Sequence, residues 1–436
     1  MSIDVLYAND RPGEYPDSYY HATVAPLADQ PVLDESISCD VCVVGAGYMG
    51  LSTALHLAEA GYDVVLLEAH RFGWGASGRN GGQVGSGQRV EQDSLESQYG
   101  EEKARKLWQI GEDSKSLVQS LMARHNIDAE YKPGIIHADL KARQVSESHA
   151  YVELLRNKYN YQQIESLNRE QICEHLGTDV YQGGALDTGS GHVHPLKFAL
   201  GLAQAALLAG VRVFERTQVI ELIEGEPAVV KTAHGQVRSQ FVVLGCNGYL
   251  GKLQPKVASR VMPINNFIVA TEPLGESLAR SLIRDDVAVG DSKFVINYYR
   301  LSDDHRLLFG GGESYSYAFP SDIASLVQKH MLSVYPQLSN KKIDYAWGGT
   351  LGITVNRLPH IERVSANILS ASGFSGHGVA MATLAGQLCS EAIATTAERF
   401  DLMASIPTWP FPGGSALRTP LLKLAMTWYA MRDKLI

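Results

Sequence analysis

Early in the chain, two short apolar runs flank a stretch of helical periodicity. Val41, Val43 and Val44 read as a buried strand, Leu51–Ala60 as a helix stopped at Gly61, and Asp63–Glu68 as the next strand. Gly45-Ala46-Gly47-Tyr48-Met49-Gly50 lies between the first strand and the helix and forms a G-x-G-x-x-G turn. A strand–turn–helix–strand unit closed by an acidic residue is the pattern of a dinucleotide site. Gly45 permits the tight turn, Gly47 lets backbone approach a pyrophosphate, and Gly50 allows the helix to lie close on the strand. Glu68 is positioned to bond ribose hydroxyls, and the helix N-terminus offers N–H groups and the positive end of its dipole.

The later patterning is mixed. Leu and Ile at helical spacing predict charged, amphipathic helices over 91–127 and 141–172, with strand and turn over 129–138. A glycine-rich stretch over 180–195 leads into a helix to about Ala209. Residues 211–220 read as strand and turn, 228–232 and 235–239 as a hairpin, and 240–248 as a buried strand ending in a glycine turn. Strands over 261–271, 293–300 and 306–311, with a helix near 322–334, make 261–350 mostly β. A strand from Ile368 then runs into Gly373-Phe-Ser-Gly-His-Gly378, a helix over 379–395 follows, and Leu417–Ile436 reads as an apolar helix with three basic residues, packed on the body. This order predicts an α/β chain with a Rossmann-like nucleotide domain in three pieces, 39–90, 180–260 and 350–400. Between them falls a mainly antiparallel β-sheet substrate domain, 91–179 and 261–349. An irregular arm over 1–38 and a helical segment over 401–436 complete it.

With 436 residues the chain is long enough for two or three domains, and its net charge of −9 argues against general nucleic-acid binding. No apolar run reaches the roughly 18 residues of a membrane span, and residues 1–39 lack a signal-peptide pattern. Five cysteines, an odd number, suit a reducing cytoplasm. Cys39 and Cys42 form a C-x-x-C on the entry strand rather than at a helix start, which reads as two small strand residues and not a redox pair. His192 and His194 alternate, so a strand would put them on one face. No third ligand stands nearby, which favours structural histidines or walls of a substrate cavity over a metal site.

Glycine recurs immediately after the ribose-binding strand, in Gly73-Trp-Gly-Ala-Ser77-Gly78-Arg79-Asn80-Gly81-Gly82-Gln83. A second backbone cradle exceeds what a nicotinamide needs and favours FAD. The strand–glycine–helix junction at Gly373–Gly378 would aim a second helix N-terminus at the ligand. A reduced flavin carries negative charge on one edge, which a helix N-terminus stabilises. The expected cofactor set is therefore the first turn with Glu68, Ala69 and Arg71, the loop from Ser77 to Gln83, Val219, Asn247 and Gly248, and Gly373, Gly376, His377, Gly378, Val379 and Ala380.

Several passages together resemble the D-amino-acid-oxidase/glycine-oxidase family of FAD enzymes over nearly the whole chain. They are Asp40–Gly50 with Glu68, Gly75–Gln83, Ser190–Pro195, Tyr298–Ser302, Arg306–Gly312, Trp347-x-Gly349, Gly373–Gly378 and Phe411–Gly414. The Ser-Gly-His-x-His-Pro and Phe-Pro-Gly-Gly passages are similar to the branch that acts on γ-glutamylated polyamines. That resemblance implies oxidation of the primary amine of a γ-glutamylputrescine-like substrate to the aldehyde, with ammonia and hydrogen peroxide released, by hydride transfer to flavin N5 and with oxygen as acceptor. Relatives with covalent flavin attach it through a Cys in a Thr-Cys-x-x-Thr segment, where this chain has Leu351, or through a His after the ribose strand, and 71–83 holds none. Non-covalent FAD is implied.

No acid–base group is strictly required once the amine is neutral. His377, in the turn expected to face the flavin, is the first candidate for a catalytic helper, with Tyr299 next. Tyr298, Arg300, Arg357, His192 and His194 are candidates for substrate contact, the two arginines for gripping a distal carboxylate. Two other readings stay open: a flavin dehydrogenase of D- or N-substituted amino acids passing electrons to a membrane acceptor, and a subunit holding FAD without catalysis.

Overall fold

The computed structural model describes residues 4–293, 295–314 and 316–412; the expected helix over Leu417–Ile436 and the end of the Phe411–Gly414 passage lie outside them. Two large sheets organise the chain. The first has eight strands, and its spine is Ser36–Val44, paired in parallel with Val64–Leu67 on one side and Gln236–Leu244 on the other. Arg212–Phe214 and Ile368–Ser372 extend it in parallel, and His360–Ser365 closes one edge antiparallel. Val41 to Val44 are buried, as a strand covered on both faces requires, and so are all four residues of Val64–Leu67. The central strand has its sequence neighbour on one side and a much later strand on the other. That arrangement is a topological switch point, where the carboxyl ends of the strands leave a crevice.

Two helices cross above this sheet, Tyr48–Glu59 and Gly378–Ala394. They approach closely at Gly386, where a Cβ would lie 2.4 Å from the Met49 carbonyl oxygen. Ser52 Oγ donates to the Thr383 carbonyl (2.7 Å) and Thr53 Oγ1 to that of Gly386 (3.2 Å). An early and a late helix are thus locked side by side with both N-termini at the crevice.

The second sheet has nine strands and is largely antiparallel, with Lys132–Asp139 and Ala288–Asp291 its parallel pair. Gly183–His192 belongs here, pairing antiparallel with Lys132–Asp139, although the sequence pattern placed 180–192 in the nucleotide domain. Gln83–Val84 joins its edge, and Ile343–Ile353 carries it past the expected boundary at 350. The strand expected over 293–300 begins only at Tyr298, as Tyr298–Leu301, and a separate strand, Ala288–Asp291, precedes the expected range and pairs with it. The connection between them is held by Asp291, whose Oδ1 accepts from Asn297 N (2.9 Å) and Oδ2 from Asn297 Nδ2 (2.8 Å). Among the described residues no helix is long and apolar enough to cross a membrane.

The arm before the first strand lies across both sheets and carries one short helix, Tyr19–Ala22. Asp10 pairs with Arg79 (2.9 Å), Gly13 N donates to His70 Nδ1 (3.1 Å), and Tyr15 donates its hydroxyl to the Phe72 carbonyl (2.8 Å). Cys39 is half-buried and Cys42 buried in the first strand, and burial pushes the Cys39 thiol up to about 12.

Candidate active site

The crevice is one continuous cavity of about 2240 Å³, well beyond the roughly 300–1,000 Å³ of a pocket for a single small molecule. At one end Gly45, Gly47, Tyr48, Met49, Glu68 and Ala69 form its wall. Gly45 has φ 102°, and a Cβ on Gly50 would lie 1.8 Å from the Gly45 carbonyl oxygen. Gly50 and Ala46 therefore stand behind the wall and shape it. Tyr48 N donates to Ser77 Oγ (3.0 Å), while the N–H groups of Gly47, Met49 and Gly50 have no partner among the described residues. Unpaired donors at a helix N-terminus beside a close-approach glycine fit a pyrophosphate.

Glu68 accepts from Ala46 N (2.6 Å) and His70 N (2.9 Å). Burial raises its carboxyl to about 7 despite these bonds. Each oxygen keeps lone-pair capacity for a ribose hydroxyl. Val219 and Asn247 line the same region; Gly248 lies behind them, where a Cβ would meet the Leu351 carbonyl oxygen at 3.2 Å. The arm contributes Asp4, Val5 and Leu6 to this wall, and no motif in the sequence marked them.

Next along the cavity come Ser77, Arg79, Asn80, Gly81 and Gln83. Gly78 and Gly82 pack beneath the loop, with Cβ positions 2.4 Å from the Gly73 and 2.0 Å from the Val193 carbonyl oxygens. Arg79 holds the loop in place, donating from Nε to the Trp74 carbonyl (2.7 Å) and from Nη1 to that of Gly348 (3.2 Å), with its guanidinium 4.4 Å over the Trp74 ring. Arg71 does not reach the cavity. It pairs with the fully buried Glu215 (2.9 Å) and with Asp29 (2.8 Å).

The second helix N-terminus brings Gly376, His377, Gly378 and Val379 to the cavity, while Gly373 (φ 74°) and Ala380 sit behind. His377 Nε2 lies 3.1 Å from the Gly87 carbonyl, which only an N–H can satisfy, so Nδ1 is left as an acceptor. Burial, then the charge of Arg89, holds its imidazole at about 4. It is neutral at physiological pH.

The other candidates separate by face. Successive strand residues point to opposite sides. Tyr298 lines the cavity, its ring lying where Cβ atoms on Gly310 and Gly81 would be (2.1 and 2.7 Å), and its hydroxyl donates to Asn266. Tyr299, expected at the reacting centre, is instead packed in the second sheet's core, stacked on Phe309 with centroids 5.1 Å apart. Arg300 is buried and donates to the carbonyls of Gly81 (3.0 Å) and Leu301 (3.1 Å), so it supports the loop and does not line the cavity. Arg357 lines it.

His192 and His194 are both buried away from the cavity. His192 Nε2 meets the Asp286 carbonyl (2.9 Å), and His194 caps the helix Pro195–Leu208, its Nδ1 accepting from Lys197 N (3.1 Å). Burial, then Arg300, lowers them to about 3 and about 2. The unfolded chain binds protons at these sites below about pH 6.5 and the folded chain does not. Their contribution to stability is complete above that pH and falls as pH drops toward the folded values, at about 1.4 kcal/mol per pH unit for each. His194→Asn keeps a capping oxygen but cannot titrate. Urea unfolding at pH 7 and pH 5 should show a loss on acidification smaller by about one proton's slope in this variant; equal losses would mean that His194 is protonated in the fold.

A parallel sheet whose crevice holds two helix N-termini and two glycine cradles defines a flavin dinucleotide enzyme. The family model described as FAD dependent oxidoreductase (DAO) matches residues 40–392, and the chain belongs to that family. Gamma-glutamylputrescine oxidoreductase of Escherichia coli (strain K12) is 43% identical over 423 residues, covering 97% of this chain and 99% of that one. The probable oxidoreductase OrdL of Rhizobium meliloti (strain 1021) is 39% identical over 96% of this chain and 97% of its own. In fold, the crystal structure of glycine oxidase from Geobacillus kaustophilus superposes with a TM-score of 0.69 at 19% identity, over 83% of this chain and 96% of that one.

Proposed function

We propose that this chain oxidises the terminal primary amine of a γ-glutamylated polyamine, γ-glutamylputrescine or a close analogue, to the aldehyde, releasing ammonia and passing the electrons to oxygen as hydrogen peroxide. The observation that carries the reading is the continuity of the cavity. It runs from the dinucleotide cradle past His377 into an arm walled by Arg89, His137, Asp139 and Tyr151, with room for a long substrate beside the cofactor. The near full-length likeness to the Escherichia coli enzyme supports the substrate class.

FAD, when bound, supplies the two-electron oxidation at the carbon bearing the amine. Gly47 and Met49 offer their N–H groups to its phosphates and Glu68 its carboxylate to the ribose. The helix that begins at Gly378 offers its dipole to the far end. Neutral His377, with Nδ1 free to accept, holds an amine N–H and orients it without adding positive charge to a site that must take a neutral amine. Tyr298 and the enclosing walls keep bulk water from the reacting carbon. Non-covalent binding is supported by Leu351, which puts an aliphatic side chain at the cavity wall, and by His70, whose two ring nitrogens are engaged by Gly13 N and the Leu6 carbonyl.

The test is an anaerobic titration of the yellow protein with γ-glutamylputrescine, putrescine and D-alanine, followed by air. Flavin bleaching by the γ-glutamyl amine alone, with peroxide on reoxidation, is the expected result. Bleaching by D-alanine or by free putrescine instead would overturn the substrate class, and reoxidation without peroxide would overturn oxygen as acceptor. Flavin released by acid precipitation should leave the pellet colourless.

A further inference from the structure

Arg89 lies between the glycine loop and the helix Gln92–Tyr99, and its side chain opens into the far arm of the cavity. Among the described residues it has no hydrogen bond and no ion-pair partner within 4 Å. The residue is exposed, but the space its side chain faces is the cavity. Desolvation there, and then the charge of Arg357 beside it, pulls its pKa down. Two guanidinium groups lining one cavity repel each other, and an anion held by Arg89 relieves that repulsion.

Glu91, Asp139 and Glu147 line the same arm, so neighbouring acids could in principle neutralise Arg89. They do not take up its donors. The carboxyls of Glu91 and Asp139 are themselves pushed up, by burial first and then chiefly, for Glu91, by the acids around it. An uncommitted cation beside a crowded acidic group is the complement of a zwitterion with its carboxylate and ammonium on one carbon. Arg300, the other arginine suited to such a role by sequence, is committed to the carbonyls of Gly81 and Leu301.

We infer that Arg89, with Arg357 beside it, anchors the glutamyl α-carboxylate of the substrate in the far arm of the cavity, at the opposite end of the molecule from the amine that is oxidised. The planar fork of Arg89 binds both carboxylate oxygens, and the acidic side chains face the ammonium on the same carbon. Arg89 is thus a specificity residue, distinguishing a γ-glutamyl amine from an amine without that head. The inference rests on the γ-glutamyl reading of the substrate.

The holoenzyme with Arg89→Met is compared with wild type on γ-glutamylputrescine and on an N-acylputrescine that lacks the carboxylate. The expected result is a KM for γ-glutamylputrescine raised roughly ten- to a hundred-fold with kcat little changed, as loss of a charged hydrogen-bond pair predicts. The KM for the carboxylate-free amide should be the same in both proteins. Arg89→Lys should recover part of the loss, since it keeps the charge without the fork. An unchanged KM, or an equal rise for both amides, overturns the anchor. A second readout does not depend on turnover: by calorimetry glutarate should bind wild type and not Arg89→Met. If γ-glutamylputrescine fails to reduce wild type, the substrate reading falls. Arg89-dependent glutarate binding would then still support the anion site, and its absence would overturn that too.

Discussion

Gly50→Ala is expected to purify without flavin and with a markedly lower unfolding midpoint. The added methyl would sit 1.8 Å from the Gly45 carbonyl oxygen and 3.3 Å from Val43 Cγ1. Neither obstacle is a flexible side-chain end. Gly45 is held by the hydrogen bond from its N–H to the Leu67 carbonyl (2.8 Å), and Val43 lies in the central strand, so relief must come from lifting the helix Tyr48–Glu59. That helix is pinned from above by Gly386, and lifting it moves the donors meant for the phosphates. Overpacking a core costs about 1–3 kcal/mol, and a backbone obstacle puts this site at or above the upper end. Gly47→Ala is the informative contrast. Its methyl meets only the Ser77 side chain, Oγ at 2.8 Å and Cβ at 3.8 Å, and that hydroxyl can turn aside at the cost of its bond from Tyr48 N. It should fold with near-normal stability while binding FAD more weakly. The ratio of flavin to protein absorbance, read beside thermal unfolding, separates the two, and stoichiometric flavin in Gly50→Ala would show that the helix has freedom to move.

Arg71→Met is expected to destabilise the whole protein, by about 3–5 kcal/mol, because it leaves a buried carboxylate without its counter-ion. Glu215 is completely buried, its Oε1 accepting from Phe72 N (2.9 Å) and its Oε2 from Gln30 N (3.1 Å), with Arg71 the cation against it. The second pairing of Arg71, to the half-exposed Asp29, contributes little by comparison. Adding Glu215→Leu should restore part of the stability lost in the single variant, since removing both charges relieves the uncompensated one. Urea unfolding of the two single variants and the double variant measures this. Full stability in Arg71→Met together with loss of FAD would return Arg71 to the cofactor site suggested by its place after the ribose strand.

The contrast between Gly50 and Arg71 marks what could be read from local pattern. Turn glycines and helix starts are local features. The spacing Gly45-x-Gly47-x-x-Gly50 and the junction at Gly373–Gly378 imply their backbone geometry within a few residues, and both were legible. Side-chain destination was not. Tyr298 and Tyr299 are adjacent and chemically alike, and only the packing of the second sheet on its helices decides that the first faces the cavity and the second the core. Arg300 and Arg357 looked equivalent as carriers of a carboxylate, yet the loop carbonyl of Gly81 engages one and the other lines the cavity. Arg89 carried no signal at all, since it stands in no motif and its role depends on lacking a partner.

Local pattern was enough for the parallel dinucleotide unit, the two glycine cradles, and the late return of the chain to the site with a second helix N-terminus. Each follows from hydrophobic period and glycine spacing over short windows. The tertiary structure alone decided that Gly183–His192 pairs with Lys132–Asp139 in the second sheet, that the N-terminal arm walls the cavity through Asp4, Val5 and Leu6, and which charged side chains meet it. Those outcomes depend on contacts between residues tens to hundreds of positions apart. Strand pairing and the neutralisation of buried charge are settled by which distant partner arrives, and no local window contains that partner.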